Sequence, residues 1–377
     1  MAVLEISDLV AQWDPATGKR IPVRRGEVVA RLREAGDGRA ARIVERMPVD
    51  GEQRPGPPGR MVAWLHTATH RRASQRMPAD SGQHPDTAVS RRVARTAHHG
   101  KAGSEQRSNL ANRLHPADDG QAEQPKHDGI LDPAEVDRLL IRVHAELQRL
   151  NEEVHMAQRF AELLSPVLDA ARAAGIRPRV VDIGCGLGFL VRSLASSGTL
   201  GRDVELIGVD FNPALVAEAN RLAREEGISC EFVCGDAFAL AQQATVYLSC
   251  GVLHHFPADV LPEFFREQDR SGAQAFIHYD IAPTRLATFG AWLFHRARMR
   301  EPLGRHDGVA SARRAHADAV LLSAAEQVSG MEVFLFEPSQ RTNPLCASMR
   351  PVVGLRPELT EDVLRRLGRR ARGLVRA

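Results

Sequence analysis

The chain has 377 residues, 43% hydrophobic but only 5% aromatic, with a formal net charge of +3 and a pI near 8.7. That length allows two or three domains of ~150 residues. The charge is too mild to argue for nucleic acid, and no apolar run reaches the ~20 residues of a bilayer-spanning helix. Five cysteines, Cys185, Cys230, Cys234, Cys250 and Cys346, are odd in number and lack zinc-ligand spacing, so reduced thiols and no metal are expected. Glu5 and Asp8 stand where a secretory leader would be basic and then apolar, which predicts a cytoplasmic protein.

Residues 1–48 carry Val28, Val29, Leu32, Ile43 and Val44 at roughly helical spacing, broken by Gly36 and Gly38, and read as an N-terminal segment of short helices. Residues 49–128 change character. The run Pro55-Gly56-Pro57-Pro58-Gly59 excludes helix and strand, and the polar stretch after it reads as a disordered insertion. Seven histidines lie between His66 and His127, and no carboxylate or cysteine completes a site with His66 and His70. Order returns at Asp132-Pro133, a cap followed by a first-turn proline, and two apolar stripes over residues 131–170 predict packing helices.

Residues 179–190 read R-V-V-D-I-G-C-G-L-G-F-L. Val180, Val181 and Ile183 form the apolar run of a strand buried on both faces, and Gly184, Gly186 and Gly188 then free the backbone to turn against a ligand before a helix begins. A dinucleotide fold needs G-x-G-x-x-G, whereas this spacing is G-x-G-x-G with an acid, Asp182, at the strand end. This stretch resembles the first motif of the class I S-adenosylmethionine-dependent methyltransferases. Later signals fall in the same order: Asp210 closing V-E-L-I-G-V-D, Asn212-Pro213 opening a helix, Asp236-Ala237 after a third strand over residues 229–234, and Leu253-His254-His255 after a fourth over residues 245–249.

The resemblance implies an α/β, Rossmann-like, doubly wound sheet of seven mostly parallel strands over residues 129–355, with helical cap elements at 131–170 and 284–328; beyond it, Leu364, Leu367 and Leu374 among arginines read as a solvated helix with a frayed tail within residues 356–377. The resemblance also implies S-adenosyl-L-methionine as cofactor, held by Asp182, Gly184, Cys185, Gly186, Gly188, Asp210, Phe211, Asp236, Ala237 and Cys250. By that resemblance Asp210 accepts the ribose hydroxyls and Asp236 the adenine amino group.

Methyl transfer leaves the protein two tasks, collinear positioning and removal of the acceptor's proton, and a histidine suits the second. His255 is the expected base, His254 the neighbour turned into the sheet. Tyr279, His306, Asp307 and Arg313 are the expected acceptor contacts, with His278 and Asp280 also near the mouth and His306-Asp307-Gly308 a loop. A fifth strand is expected over residues 273–277, helices over 286–298 and 311–327, and a kink at Pro302-Leu303-Gly304. No N-P-P-Y-type tetrapeptide follows the fourth strand, where Ser249-Cys250-Gly251-Val252 stands, which favours an oxygen, carbon or aliphatic nitrogen acceptor atom, and the long helical cap points to a small-molecule acceptor, with no nucleic acid or membrane partner expected. The other readings are a silent methyltransferase-like scaffold and an NAD(P)-binding oxidoreductase, which Asp182 and the shortened glycine spacing disfavour.

Overall fold

A computed structural model describes residues 5–14, 17, 19–50, 129–283, 287–327, 330–336, 348–369 and 374–376. The insertion, its histidines and Cys346 lie outside the described residues. Val49 bridges to Leu131, and Asp50 N–H donates to Ile130 carbonyl, so the two chain ends that flank residues 51–128 leave the folded unit side by side.

Before that segment come α1 (Ile6–Val10), the short strands β1 (Gln12–Trp13) and β2 (Arg20–Ile21), α2 (Arg25–Glu34) and α3 (Gly38–Val44). Asp37 caps α3 by accepting from Ala40 N–H. After it come α4 (Pro133–Glu153) and α5 (Met156–Ala173), the first capped by Asp132, whose carboxylate accepts from Ala134 and Glu135 N–H. The sheet segment follows as β3 (Arg179–Ile183), α6 (Phe189–Ser197), β4 (Glu205–Asp210), α7 (Pro213–Glu225), β5 (Glu231–Cys234), β6 (Val246–Cys250), α8 (Leu261–Arg270) and β7 (Ala275–Ile281). The chain closes with α9 (Ala287–Arg298), α10 (Pro302–Arg314), α11 (Asp318–Glu326), β8 (Glu332–Phe336), β9 (Met349–Leu355), α12 (Pro357–Leu367) and β10 (Leu374–Arg376).

The sheet runs β10-β8-β9-β7-β6-β3-β4-β5. From β5 to β7 every pair is parallel, and β9 enters antiparallel between β7 and β8. All seven expected strands are present in a mostly parallel order. The eighth is a correction: the C-terminal stretch expected as a continuing helix ends at Leu367, where Gly368 takes a positive φ of 57°, and Leu374–Arg376 then pairs antiparallel with β8 at the sheet edge.

Alternation along each strand sends successive side chains to opposite faces, so two cores form. Val180, Leu206, Val246, Leu248 and Ile277 pack with α5, α6, α7 and α12. Val181, Ile183, Ile207, Tyr247 and Phe276 pack with α8 and α11. Phe264 and Phe265 of α8 are fully buried, each worth roughly 1.5–3 kcal/mol. That outweighs the exposed Arg266–Glu263 pair on the same helix, at ~0–1 kcal/mol, so packing holds α8 on the sheet. A third core joins α1 to α4 with Leu187 of the glycine turn, Leu215 of α7, and Met299 and Leu303 before and within α10. This one ties the N-terminal helices to the end of the sheet where the loops gather.

The cap differs from expectation in phase. Pro302 opens α10 rather than kinking a helix, because a first-turn proline has no N–H to lose. The expected helix over residues 311–327 is two helices, broken where Ala315 and Ala317 adopt extended backbone. β7 runs on to Ile281, so His278, Tyr279 and Asp280 lie inside a strand, not past its end.

Candidate functional site

Two groups of residues meet at the carboxyl ends of β3, β4, β6 and β7. The first is the glycine turn. Gly184, Gly186 and Gly188 all have φ between 54° and 71°, the left-handed region that suits glycine. A Cβ on Gly184 would lie 2.6 Å from Val252, one on Gly186 2.8 Å from His144 of α4, and one on Gly188 2.2 Å from Phe232 of β5. The cradle is therefore closed by three neighbours as well as by backbone strain. Gly184 and Cys185 N–H both donate to Val209 carbonyl, at 2.8 and 3.1 Å, which lashes the turn to β4.

Asp210 lies across this turn. One carboxylate oxygen accepts from Gly186 N–H at 2.8 Å and the other from Asn212 N–H at 2.9 Å, leaving each a further lone pair. Asn212 in turn caps α7 through Ala214 N–H. Phe211, next in sequence, is 44% exposed, an open aromatic face beside the carboxylate. Asp182 is 3% exposed, and its Oδ1 has no hydrogen-bond partner. Burial, and then the charge of Asp210, push its carboxyl well above the ordinary carboxylate range. A buried oxygen left unsatisfied costs ~1–3 kcal/mol, so this position suits a ligand that brings a donor. Asp236 accepts from Phe238 N–H at 2.9 Å within its own turn, and Ala237 packs at the rim of the α8-side core. Burial raises the Cys185 and Cys250 thiols, which makes them packing groups rather than nucleophiles.

The second group is built around the short 3-10 turn Leu253–His255. Val252, which touches the glycine turn, leads straight into it. His254 is 5% exposed; its Nδ1 lies 2.7 Å from Asp280 Oδ1, and its backbone N–H donates to Asp280 Oδ2 at 3.2 Å. His255 is about a third exposed, with Nδ1 3.5 Å from Glu5 Oε2 and 3.4 Å from Asp8 Oδ1. Arg314 reaches Glu5 at 3.3 Å and Asp8 at 3.1 Å and donates to His255 carbonyl. Burial opposes the charged imidazolium of His255, but the Glu5 and Asp8 carboxylates win and raise it to about 9. Burial dominates at Glu5 and raises its carboxyl. At Asp280, burial is outweighed by His254 and by backbone donors, which hold the carboxyl low.

The remaining expected acceptor residues lie inside α10 and β7. His306 and Asp307 are inside α10, not a loop: Asp307 accepts from Ile6 and Ser7 N–H at 2.9 and 3.0 Å, and His306 lies 2.8 Å from Asp37. A carboxylate at the amino end of α1 meets unpaired N–H groups and a positive dipole end, which explains why the pair faces inward. Tyr279 is 4% exposed, edge-on to Phe160 and beneath the Arg159 guanidinium. His278 is fully buried between Ser249 and Gln268, and burial lowers it to about 3. Arg313 is exposed; one position later in the helical turn, Arg314 is the arginine that enters the cluster. Glu5, Asp8 and Arg314 carry no local motif, and only Asp280, after the fifth apolar run, had a positional signal.

Residues 180–272 match the family model described as a methyltransferase domain. Uncharacterized proteins of Mycobacterium bovis and Mycobacterium tuberculosis are 28% identical over 137 residues, 34% of this chain and 48% of each relative. The match thus spans about half the length of those relatives. Among solved structures, magnesium protoporphyrin IX methyltransferase from Synechocystis, crystallised with bound SAH, is 18% identical with a TM-score of 0.38, over 58% of this chain and 99% of that one. The PH0226 protein from Pyrococcus horikoshii is 17% identical with a TM-score of 0.37, over 53% of this chain and 90% of that one. The stretch that matches the methyltransferase-domain model begins at the strand before the glycine turn and ends just past α8.

Proposed function

We propose that this protein transfers the methyl group of S-adenosylmethionine to an oxygen, nitrogen or carbon nucleophile of a small molecule. The observation that carries the reading is the closed glycine cradle with Asp210 laid across it and the orphaned Asp182 Oδ1 beneath it. That donor set fits the cofactor: Asp210 has lone pairs for two ribose hydroxyls, and Asp182 has a buried oxygen for an ammonium or hydroxyl donor. An oxidoreductase would bring a pyrophosphate to this turn, where Asp182 and Asp210 already set two carboxylates against it.

When bound, S-adenosylmethionine supplies an electrophilic methyl on a sulfonium. The charge on sulfur disappears during transfer, so the protein gains most by alignment and by excluding water. The third core, which brings α1 to α4 onto the glycine turn through Leu187, closes that side. On the acceptor side His254 is the group placed to take a proton. Its Nδ1 is engaged by Asp280, so its Nε2 carries the free lone pair. His255 is held charged by Glu5 and Asp8, and at neutral pH it offers a donor rather than a base.

Calorimetric titration of the purified protein with S-adenosylhomocysteine tests the reading, together with mass spectrometry for retained cofactor. Micromolar binding at one site per chain is expected. No binding, with reduced nicotinamide cofactor bound instead, would replace the reading with the oxidoreductase one.

A further inference from the structure

The cluster at the acceptor edge has a second property. Glu5, His254 and His255 each offer one ligand atom, and all three atoms lie within 4.8 Å of one another. Glu5 and His254 are 3% and 5% exposed. Glu5 Oε1 is 3.9 Å from His254 Nε2, and Glu5 Oε2 is 3.5 Å from His255 Nδ1. Two imidazoles and one carboxylate, converging from the residue before α1 and from the turn after β6, form the donor set of a mononuclear divalent site.

An independent observation points the same way. Asp280 engages His254 on the outer side, with one oxygen 2.7 Å from Nδ1 and the other accepting the residue's own N–H. An imidazole held like this keeps its proton on Nδ1 and directs the Nε2 lone pair at Glu5. A carboxylate on the far nitrogen is the arrangement that orients a histidine ligand and raises its basicity. Glu5 is oriented too, since Ser311 Oγ donates to its Oε1 at 2.9 Å. Charge completes the argument. Glu5, Asp8 and Asp280 place three carboxylates around the two rings, and Arg314 is the arginine that reaches into them. Glu5 and Asp280 are buried, and carboxylates that deep need positive charge beside them.

We propose that Glu5, His254 and His255 bind one divalent transition-metal ion beside the cofactor corner. Nitrogen-rich ligation favours zinc, iron(II), cobalt or manganese over magnesium or calcium. Three protein ligands leave coordination positions for water and for an oxygen of the acceptor, whose acidity the ion would raise. With the ion bound both imidazoles would be ligands: the ion would replace the proton that His255 holds beside Glu5 and Asp8, and would polarise the acceptor in place of His254. The existence of the ion site is independent of the methyl-transfer reading; its role toward the acceptor rests on that reading.

The test uses the full chain, stripped with a chelator and titrated with Co²⁺ while visible absorption is followed, with bound Zn²⁺ counted by mass spectrometry after dialysis. One equivalent of Co²⁺ with the intense bands of a four- or five-coordinate site is expected. Asp280→Asn should weaken it by roughly 10–100-fold. Glu5→Gln combined with His255→Ala should remove it, with S-adenosylhomocysteine affinity and circular dichroism unchanged as the proof of folding. Two results overturn the proposal: wild-type protein without such bands, or wild-type stoichiometry and affinity in the double variant. Ion binding without S-adenosylhomocysteine binding would support the site and overturn the cofactor reading alone.

Discussion

The two halves of the site are built in different ways. The proposed cofactor half is one short stretch of chain: strand, glycine turn and helix, with Asp210 at the end of the neighbouring strand accepting from Gly186 N–H. The acceptor half is assembled from remote pieces. Glu5 and Asp8 come from the start of the chain, the two histidines from the turn after β6, Asp280 from β7 and Arg314 from α10, with partners as much as 309 positions apart, as in Arg314 and Glu5. A local motif is stabilised by neighbours in sequence and survives small changes elsewhere. A composite one depends on every core that brings its pieces together, so damage far away should reach it.

The largest expected effect is on the local half. Asp210→Ala removes the carboxylate from the proposed ribose position, where two charge-assisted hydrogen bonds would each be worth roughly 1.5–3 kcal/mol. Calorimetry with S-adenosylhomocysteine should show binding weakened by about two to four orders of magnitude, with the circular dichroism spectrum retained. Unchanged affinity would remove Asp210 from the cofactor site.

On the composite half, His254→Ala should lower turnover by roughly 10²–10⁴-fold while cofactor affinity barely moves. The same readout on His255→Ala sharpens the comparison. If His255 alone matters and His254→Ala keeps wild-type turnover, the proton is handled at the exposed ring instead.

Asp307→Ala separates the halves most directly. It leaves Ile6 and Ser7 N–H without their acceptor, a cost of about 1–3 kcal/mol, and frees the helix that carries Asp8 and adjoins Glu5. A lower melting temperature and impaired turnover are expected, with S-adenosylhomocysteine affinity intact. A proportional loss of cofactor affinity would show the two halves to be one cooperative unit.

The smallest effect concerns pH. His278 is buried with its folded value lowered to about 3, against an unfolded value of about 6.5. Below pH 6.5 the unfolded chain takes up a proton that the folded one refuses, so stability should fall as pH drops from about 6.5 towards 3. Denaturant melts of His278→Gln should show a shallower decline over that window, and an unaltered slope would mean that the ring is charged in the fold.

What could be read from the amino-acid order was whatever short-range physics dictates. Val180 to Ile183 alternate between two buried faces, three glycines must turn, Asn212-Pro213 and Asp132-Pro133 must start helices, and each of these conditions is met within a few residues. The parallel part of the sheet follows from repeating such units, whereas the antiparallel entry of β9 between β7 and β8 and the short edge strand β10 lay beyond it, because that pairing depends on where the later chain falls. The acceptor edge was legible only in part. The histidine pair stood out by type, but whether each ring is charged or carries a free lone pair depends on Asp280, Glu5 and Asp8. His306 and Asp307 looked like loop residues from their composition, yet the free N–H groups of α1 drew the carboxylate inward. Arg313 and Arg314 differ by one position, and the helical phase of α10 decided which of them meets Glu5. Backbone conformation is set by neighbours in sequence, so the cofactor corner could be read in advance. Charge and burial are set by neighbours in space, so the acceptor edge needed the fold.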